Sequence, residues 1–449
     1  MKVELLLLAQ VPNVLAILAP ARYGTLYNVP GALEGRYIVK YRDNSTDSTF
    51  NSHLKLLSRA ESPMHTYSSV FRGFAAKLSN ETVETLRAHP EVDFVEPDGL
   101  VEAQLGLWDD DYPNFQDPPI ANWGLLSISK EQTSYSYAHP AGNETCIFML
   151  DSGIHVSHPE FGGRATQAVN FIPDEPNTDT AGHGTWTAGI VGGEIHGVAK
   201  KTKLIGVKVM NKDMIGSTIS LISGMNWIID HEEDYDCPKG VIINISAGQA
   251  SSDALKAAAD RLVDVPHRFL VVAAGNQNID ARAISPANAA GACAVSAMGQ
   301  DLWIPDYSNF GETVALFAPG TDIESCSNDG GTSRGSGTSA SAPFVAGIAA
   351  LQYSVMGPYP GGGKGMCDYL QSYATAGWLR GKVGLEEEGM SFFEKTGSRN
   401  LMACNDFPEY APPPNPHRPS SFSRHGHTQH HPNPTSTERH IDTRNNTNG

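Results

Sequence analysis

A three-layer α/β domain on a buried parallel sheet, preceded by a small α+β domain, is the fold class that this 449-residue sequence predicts. Three observations predict it. From Cys146 onward, short apolar runs rich in β-branched residues alternate with amphipathic stretches, the pattern of parallel strands covered on both faces. Between two of these runs Leu255, Ala258, Ala259 and Leu262 recur at helical spacing behind Ser252 and Asp253, which marks a capped helix with one buried face. Before residue 100, strand and helix patterns alternate in a compact α+β order.

Residues 1–21 have the layout of a secretory signal: Lys2, the apolar stretches Leu5 to Ala9 and Val14 to Ala21, and Ala19-Pro20-Ala21 as a cleavage site. Glu4 stands where positive charge is usual, and Gln10, Pro12 and Asn13 break the apolar run, which leaves it too short to span a membrane. Residues 22–106 form the first domain, with a core over 35–98: a strand Arg36 to Tyr41, a helix near 47–60, a strand around Val70 to Leu78, a helix from Asn80 and a strand Val92 to Val95. The stretch 99–120 has no periodicity and carries Asp109-Asp110-Asp111, Pro113, Pro118 and Pro119, so residues 107–120 read as an exposed junction open to cleavage. Residues 121–405 form the second domain, with strands at Ile147 to Leu150, Leu204 to Met210, Val241 to Ser246, Phe269 to Ala273 and Cys293 to Ala297. Residues 406–449, rich in Pro, His, Ser, Asn and Arg, cannot bury enough apolar surface to offset chain entropy and read as a disordered tail.

The charge balance narrows the function. With 32 basic and 49 acidic residues the formal charge is -17, which argues against nucleic acid and against anionic membranes as partners. Six cysteines, an even number behind a signal-like leader, suit an oxidising compartment, although spacing alone does not pair them.

Three segments carry the chemistry: Leu150-Asp151-Ser152-Gly153, Gly182-His183-Gly184-Thr185 and Gly337-Thr338-Ser339-Ala340-Ser341-Ala342-Pro343. An Asp that orients a His, which takes the proton of a Ser hydroxyl, turns a weak nucleophile into one that attacks a carbonyl near neutral pH. Asp151 closes a buried strand, at the sheet edge where open α/β folds build their sites. His183 lies between glycines that allow a helix start to approach its neighbours closely. Ser339 begins a helix with Pro343 in its first turn, and the helix start offers free N–H groups and partial positive charge to a developing oxyanion. Gly331-Thr332-Ser333-Arg334-Gly335 also matches the nucleophile elbow of lipases, but no apolar strand precedes it and downstream histidines occur only in the tail.

The order Asp, His, Ser and the three motifs resemble those of the subtilases, and within them the fungal proteinase K group. The resemblance runs from about residue 35 to 105, similar to the family's inhibitory prosegment, and from about 120 to 375, similar to its catalytic domain. It implies a subtilisin-like fold behind a ferredoxin-like prosegment, and a secreted, monomeric serine endopeptidase acting on extended polypeptides. Its own prosegment would be the intramolecular inhibitor, ending near Val92 to Asp98 and removed by self-cleavage to leave a new N-terminus between about 100 and 118. It assigns Asp151, His183 and Ser339 to the triad, and Asn276 in Ala273-Ala274-Gly275-Asn276 to the side-chain oxyanion donor. Gly216, Ser246, Ala247, Gly248 and Gly275 would bind the substrate, in part by strand addition. It also implies bridges Cys146 to Cys237 and Cys293 to Cys367, leaving Cys326 and Cys404 to form a third bridge or to stay buried thiols.

Several positions depart from the family pattern: Ser152 for Thr, Trp186 for a second His, Ala340-Ser341 for Met-Ala or Met-Ser, and Gly248-Gln249 for a glycine pair. The Met214-Ile215-Gly216 edge is bulkier than usual and narrows the expected cleft. Ala315 replaces an Asp ligand, so neither a tight structural calcium nor another cofactor is expected. Two other readings stay open on the sequence: a catalytically silent binding protein on the same scaffold, and a narrowly specific processing peptidase. Asn44, Asn80, Asn143, Asn244 and Asn445 begin glycosylation sequons, of which Asn244 falls in a strand expected to be buried.

Overall fold

The computed structural model describes residues 24–27, 29, 31–105, 107–108, 122–131, 133–382 and 390–405. The signal-like leader, most of the 107–120 junction, the tail and Asn445 lie outside the described residues.

The N-terminal domain orders its strands Thr25–Leu26, Val92–Pro97, Arg36–Tyr41, Gly73–Lys77 and Pro63–Tyr67, with the helices Asp47–Leu56 and Asn80–Arg87 between them in sequence. Apart from the short parallel strand Thr25–Leu26, the pairs are antiparallel, the ferredoxin-like arrangement. Period-two alternation gives this sheet two apolar faces. Val39, Tyr41, Phe74, Ala76 and Val95 pack with Val83, Leu86, Phe50 and Leu54 of the domain's own helices. Ile38, Ala75 and Phe94, their sequence neighbours, belong instead to the core of the larger domain. The expected helix near 47–60 stops at Leu56 and is followed by a separate turn of 3-10 helix, Arg59–Glu61. Pro63–Tyr67 was not expected as a strand, because its Pro and alternating exposure suit only an edge position.

The larger domain is built on nine strands in the order Thr375–Ala376, Leu401–Met402, Val314–Pro319, Ala292–Met298, Arg268–Ala273, Val241–Ile245, Cys146–Asp151, Lys203–Lys208 and Ala165–Asn170. All neighbours are parallel except the terminal Thr375–Ala376 pair. The five expected strands form its centre. Helix Thr338–Met356 lies against four of these strands and against helix His183–Gly192, while Thr218–His231 and Asp253–Leu262 pack on each other. Thr338–Met356 is buried around most of its circumference, as its lack of any charged residue requires. Ser252 caps Asp253–Leu262, its Oγ accepting from Leu255 N at 3.0 Å.

Cys146–Cys237 and Cys293–Cys367 are bridged, with Cα separations of 5.5 and 5.7 Å. Cys326 and Cys404 are free and buried, so the third bridge does not form; the Cys404 thiol lies against the carbonyl oxygen of Tyr373. Asn244 is fully buried in Val241–Ile245, where no glycan fits. Among the described residues no helix is long and apolar enough to cross a membrane.

Candidate active site

Asp151 ends the strand Cys146–Asp151 with its side chain buried. Its Oδ1 accepts from His183 Nδ1 at 2.7 Å and from Ser152 N at 2.7 Å, and its Oδ2 accepts from Thr187 Oγ1 at 3.1 Å. These bonds fix both the carboxylate plane and the imidazole tautomer. His183 is the first residue of its helix. A Cβ on Gly184 would lie 2.0 Å from the carbonyl oxygen of Gly153, so only glycine lets the helix start come this close to the strand end. Ser152 Oγ accepts from Gly184 N and donates to Asp179, whose carboxylate also accepts from Gly182 N and Thr185 N. Asp179 therefore organises the helix start, a role that sequence reasoning missed because the cap position itself is Gly182 and the carboxylate reaches in from three residues before it. Trp186 is fully buried, its ring centroid 6.1 Å from that of His183 and its Nε1 donating to the carbonyl of Ile323. His183 Nε2 is buried and has no hydrogen-bond partner among the described residues.

Ser339 is the second residue of Thr338–Met356. Pro343 is the sixth, so it falls in the second turn rather than the first. Lacking an N–H, it leaves the Ser339 carbonyl without its intrahelical donor, and Ser246 Oγ supplies one at 3.0 Å. The Ser339 hydroxyl donates to the Ser246 carbonyl at 2.9 Å. Asn276 Oδ1 accepts from Thr338 N and Oγ1, which turns its Nδ2 outward.

The strand Leu100–Ala103, read from sequence as unpatterned, fills the groove between the two expected edge segments. Val101 pairs with Gly216, and Glu102 and Ala103 pair with Gly248 and Ala247, all antiparallel. Its order comes from these partners rather than from its own periodicity. Ala103 N donates to the Met214 carbonyl and Gln104 N to the Ser246 carbonyl. The Gln104 carbonyl oxygen then accepts from Ser339 N at 3.0 Å and from Asn276 Nδ2 at 2.5 Å. Beyond Gln104 the chain runs on, and Leu107–Trp108 pairs with Thr332–Ser336, the strand that holds the lipase-like motif. Ser333 thus sits in an antiparallel hairpin with Ile323–Cys326 and not on a strand-to-helix turn. Gly275 joins the site through its backbone: its φ is +107°, its N–H donates to Thr338 Oγ1, and a Cβ there would meet Asn309 and Gln277.

Two carboxylates of the N-terminal domain cap helices of the larger one. Glu96 accepts from Ser252 Oγ, Asp253 N and Ala254 N at the start of Asp253–Leu262. Asp98 accepts from Ile219 N at 2.9 Å at the start of Thr218–His231 and pairs with Arg36 at 2.7 Å. Burial raises both carboxyls, Asp98 to about 6. Elsewhere, the buried ligand atoms of Glu160, His196 and Cys326 lie within 4.8 Å of one another. Glu160 is already occupied there, Oε1 by His196 Nδ1 at 2.6 Å and Oε2 by the N–H groups of Ile195 and His196.

Residues 142–360 match the subtilase family model and residues 36–104 match that of peptidase inhibitor I9. The chain is 38% identical to the subtilisin-like serine protease AsES of Sarocladium strictum, over 81% of this chain and 90% of that protein. It is likewise 38% identical to the cuticle-degrading protease of Metarhizium anisopliae, over 77% and 86%, and 36% identical to proteinase R of Parengyodontium album, over 83% and 89%. A crystal structure of a cold adapted subtilisin-like serine proteinase superposes with a TM-score of 0.55 at 30% identity, covering 64% of this chain and 99% of that one.

Proposed function

The chain belongs to the subtilase family and is a serine endopeptidase carrying an inhibitory prosegment, and from that premise we propose that it is secreted as a precursor that cuts itself between Gln104 and Leu105. The observation that carries this reading is the Gln104 carbonyl held by Ser339 N and Asn276 Nδ2, the two donors an oxyanion needs. The inhibitor match also ends at residue 104.

In the proposed reaction the Ser339 hydroxyl turns from the Ser246 carbonyl to His183 Nε2, which takes its proton as Oγ attacks the Gln104 carbonyl carbon. Asp151 holds Nδ1–H and stabilises the imidazolium. Charge that develops on the carbonyl oxygen falls on donors already in place, so no reorganisation is needed at that step. His183 then gives the proton to the Leu105 nitrogen, the Gln104–Leu105 bond breaks, and water releases the acyl group by the same proton route. Secretion is supported by the signal-like leader and by two disulfides.

Intact mass of the purified precursor over time, beside Ser339→Ala, tests this. The wild type alone is expected to lose everything before Leu105. A variant cut at the same bond, or a wild-type junction elsewhere, overturns the proposal.

A further inference from the structure

We infer that the pocket beside Ser339 reads a side-chain carboxamide, so that the enzyme prefers glutamine on the acyl side of the bond it cuts; this rests on the peptidase reading above. Gln104 is almost fully buried, and both ends of its amide are matched. Its Oε1 accepts from Asn276 N at 3.1 Å and from Gln277 Nε2 at 3.0 Å. Its Nε2 donates to the Gly248 carbonyl at 3.4 Å and to the carbonyl of Glu102, within its own segment, at 3.0 Å.

The polarity of the pocket is set from behind. Asn309 is fully buried, its Oδ1 accepting from Gln277 N and Ile279 N, so its Nδ2 must point toward the Ala274 carbonyl and Gln277 Oε1. Asn276 N also donates to Gln277 Oε1, at 2.9 Å. With its oxygen held by two donors, Gln277 can present only its Nε2 to the substrate. The relay passes over Gly275, where a Cβ would lie 2.2 Å from Asn309 Nδ2 and 2.6 Å from Gln277 Oε1.

The pocket is therefore a donor on one side and an acceptor on the other. A glutamate of the same shape sets an oxygen against the Gly248 carbonyl, and an apolar side chain of the same length takes the Gln104 partner from Gln277 Nε2 and from that carbonyl, while Asn276 N keeps Gln277 Oε1. Gln277 is solvent-exposed, which keeps the discrimination against apolar residues modest.

The matured wild-type enzyme is given fluorogenic peptides Val-Glu-Ala-Xaa with Xaa as Gln, Glu, Met, Leu or Phe, alongside fluorophosphonate labelling of Ser339. Gln is expected to exceed Met by about 10-fold and Glu by about 100-fold in kcat/KM. Gln277→Leu is expected to bring the Gln to Met ratio down to about 1 to 3. Met, Leu or Phe equal to or above Gln in a labelled, active wild type overturns the inference and leaves the peptidase reading standing. A Gln277→Leu enzyme that keeps the wild-type ratio overturns the role of that side chain and the inference with it. An unlabelled serine with no peptide cut overturns the peptidase reading, and the inference falls with it.

Discussion

The carbonyl oxygen of Gln104 lies 3.0 Å from the backbone nitrogen of Ser339, with Asn276 Nδ2 closing on it from the other side at 2.5 Å. The helix start and the turn after Arg268–Ala273 converge on one oxygen. The N-terminal domain is thus more than a neighbour of the catalytic one. Its last strand lies where a substrate strand is expected, with the Gln104 carbonyl set at the helix start that carries Ser339.

Asn276→Ala removes one of these two donors and is expected to lower kcat by about 100- to 1000-fold, the range known for such a donor in subtilisin, a relative, with a much smaller change in KM. Conversion of the precursor is expected to slow with it. Steady-state kinetics beside the maturation time course check this, and turnover within about 3-fold of wild type contradicts the oxyanion role.

The Ser339 carbonyl depends on Ser246 because Pro343 has no N–H to give. Ser246→Ala is expected to cost about 1 to 3 kcal/mol of unfolding free energy, since a buried acceptor is left unpaired. Pro343→Ala restores an intrahelical donor at the same carbonyl. The cost of Ser246→Ala is then expected to shrink in the Pro343→Ala background, without vanishing, because Asn244 Nδ2 also loses its acceptor. Denaturant unfolding of the four proteins measures the coupling, and strict additivity refutes it.

Cys326 and Cys404 are both buried, and burial with the nearby Glu160 carboxylate pushes the Cys326 thiol well above its ordinary range. Alkylation of the unreduced native protein is expected to be slow, and in denaturant to add two groups and no more. No addition in denaturant reveals a third bridge; rapid addition before unfolding contradicts the burial.

Much of the fold was legible because local pattern and tertiary demand agree. The five central strands are apolar runs, and Asp253–Leu262 carries both its cap and its apolar stripe. Asp151, His183 and Ser339 stand out in sequence by their motifs and order, and Asn276 by the family resemblance. The structure brings Asp151 to His183 and Asn276 to the helix start of Ser339, and the close backbone approach at Gly184 accounts for one of the motif glycines. Leu100–Ala103 and Gln104 were not legible, since their order comes from partners more than a hundred residues away. Gln277 carries no local sign of its place in the site, and the Asn309 relay behind it fixes which end of its amide faces the groove. The caps made by Glu96 and Asp98 were hidden for the same reason: a carboxylate at the end of one domain gives no local sign of the helix it serves in another.

From those caps a pH dependence of prosegment release is expected. Asp98 is raised from 3.8 to about 6, first by burial, against the opposing pull of Arg36, Ile219 N and Ser217. Burial raises Glu96 as well, against its bonds to Ser252, Ala254 and Asp253. A carboxyl whose docked value is raised binds more protons docked than free between the two values. Its contribution to docking is therefore full below about 4 and is lost as the pH rises through about 6. After the Gln104–Leu105 bond is cut, the prosegment is expected to stay bound at pH ~4.5 and to leave faster at pH ~7.5. Asp98→Asn keeps the shape and one acceptor without the charge, so it is expected to flatten much of this difference. Size-exclusion of the nicked complex after incubation at each pH reads it directly. Faster release in acid, or an unchanged pH response in the variant, shows that the titration of Asp98 does not govern the interface.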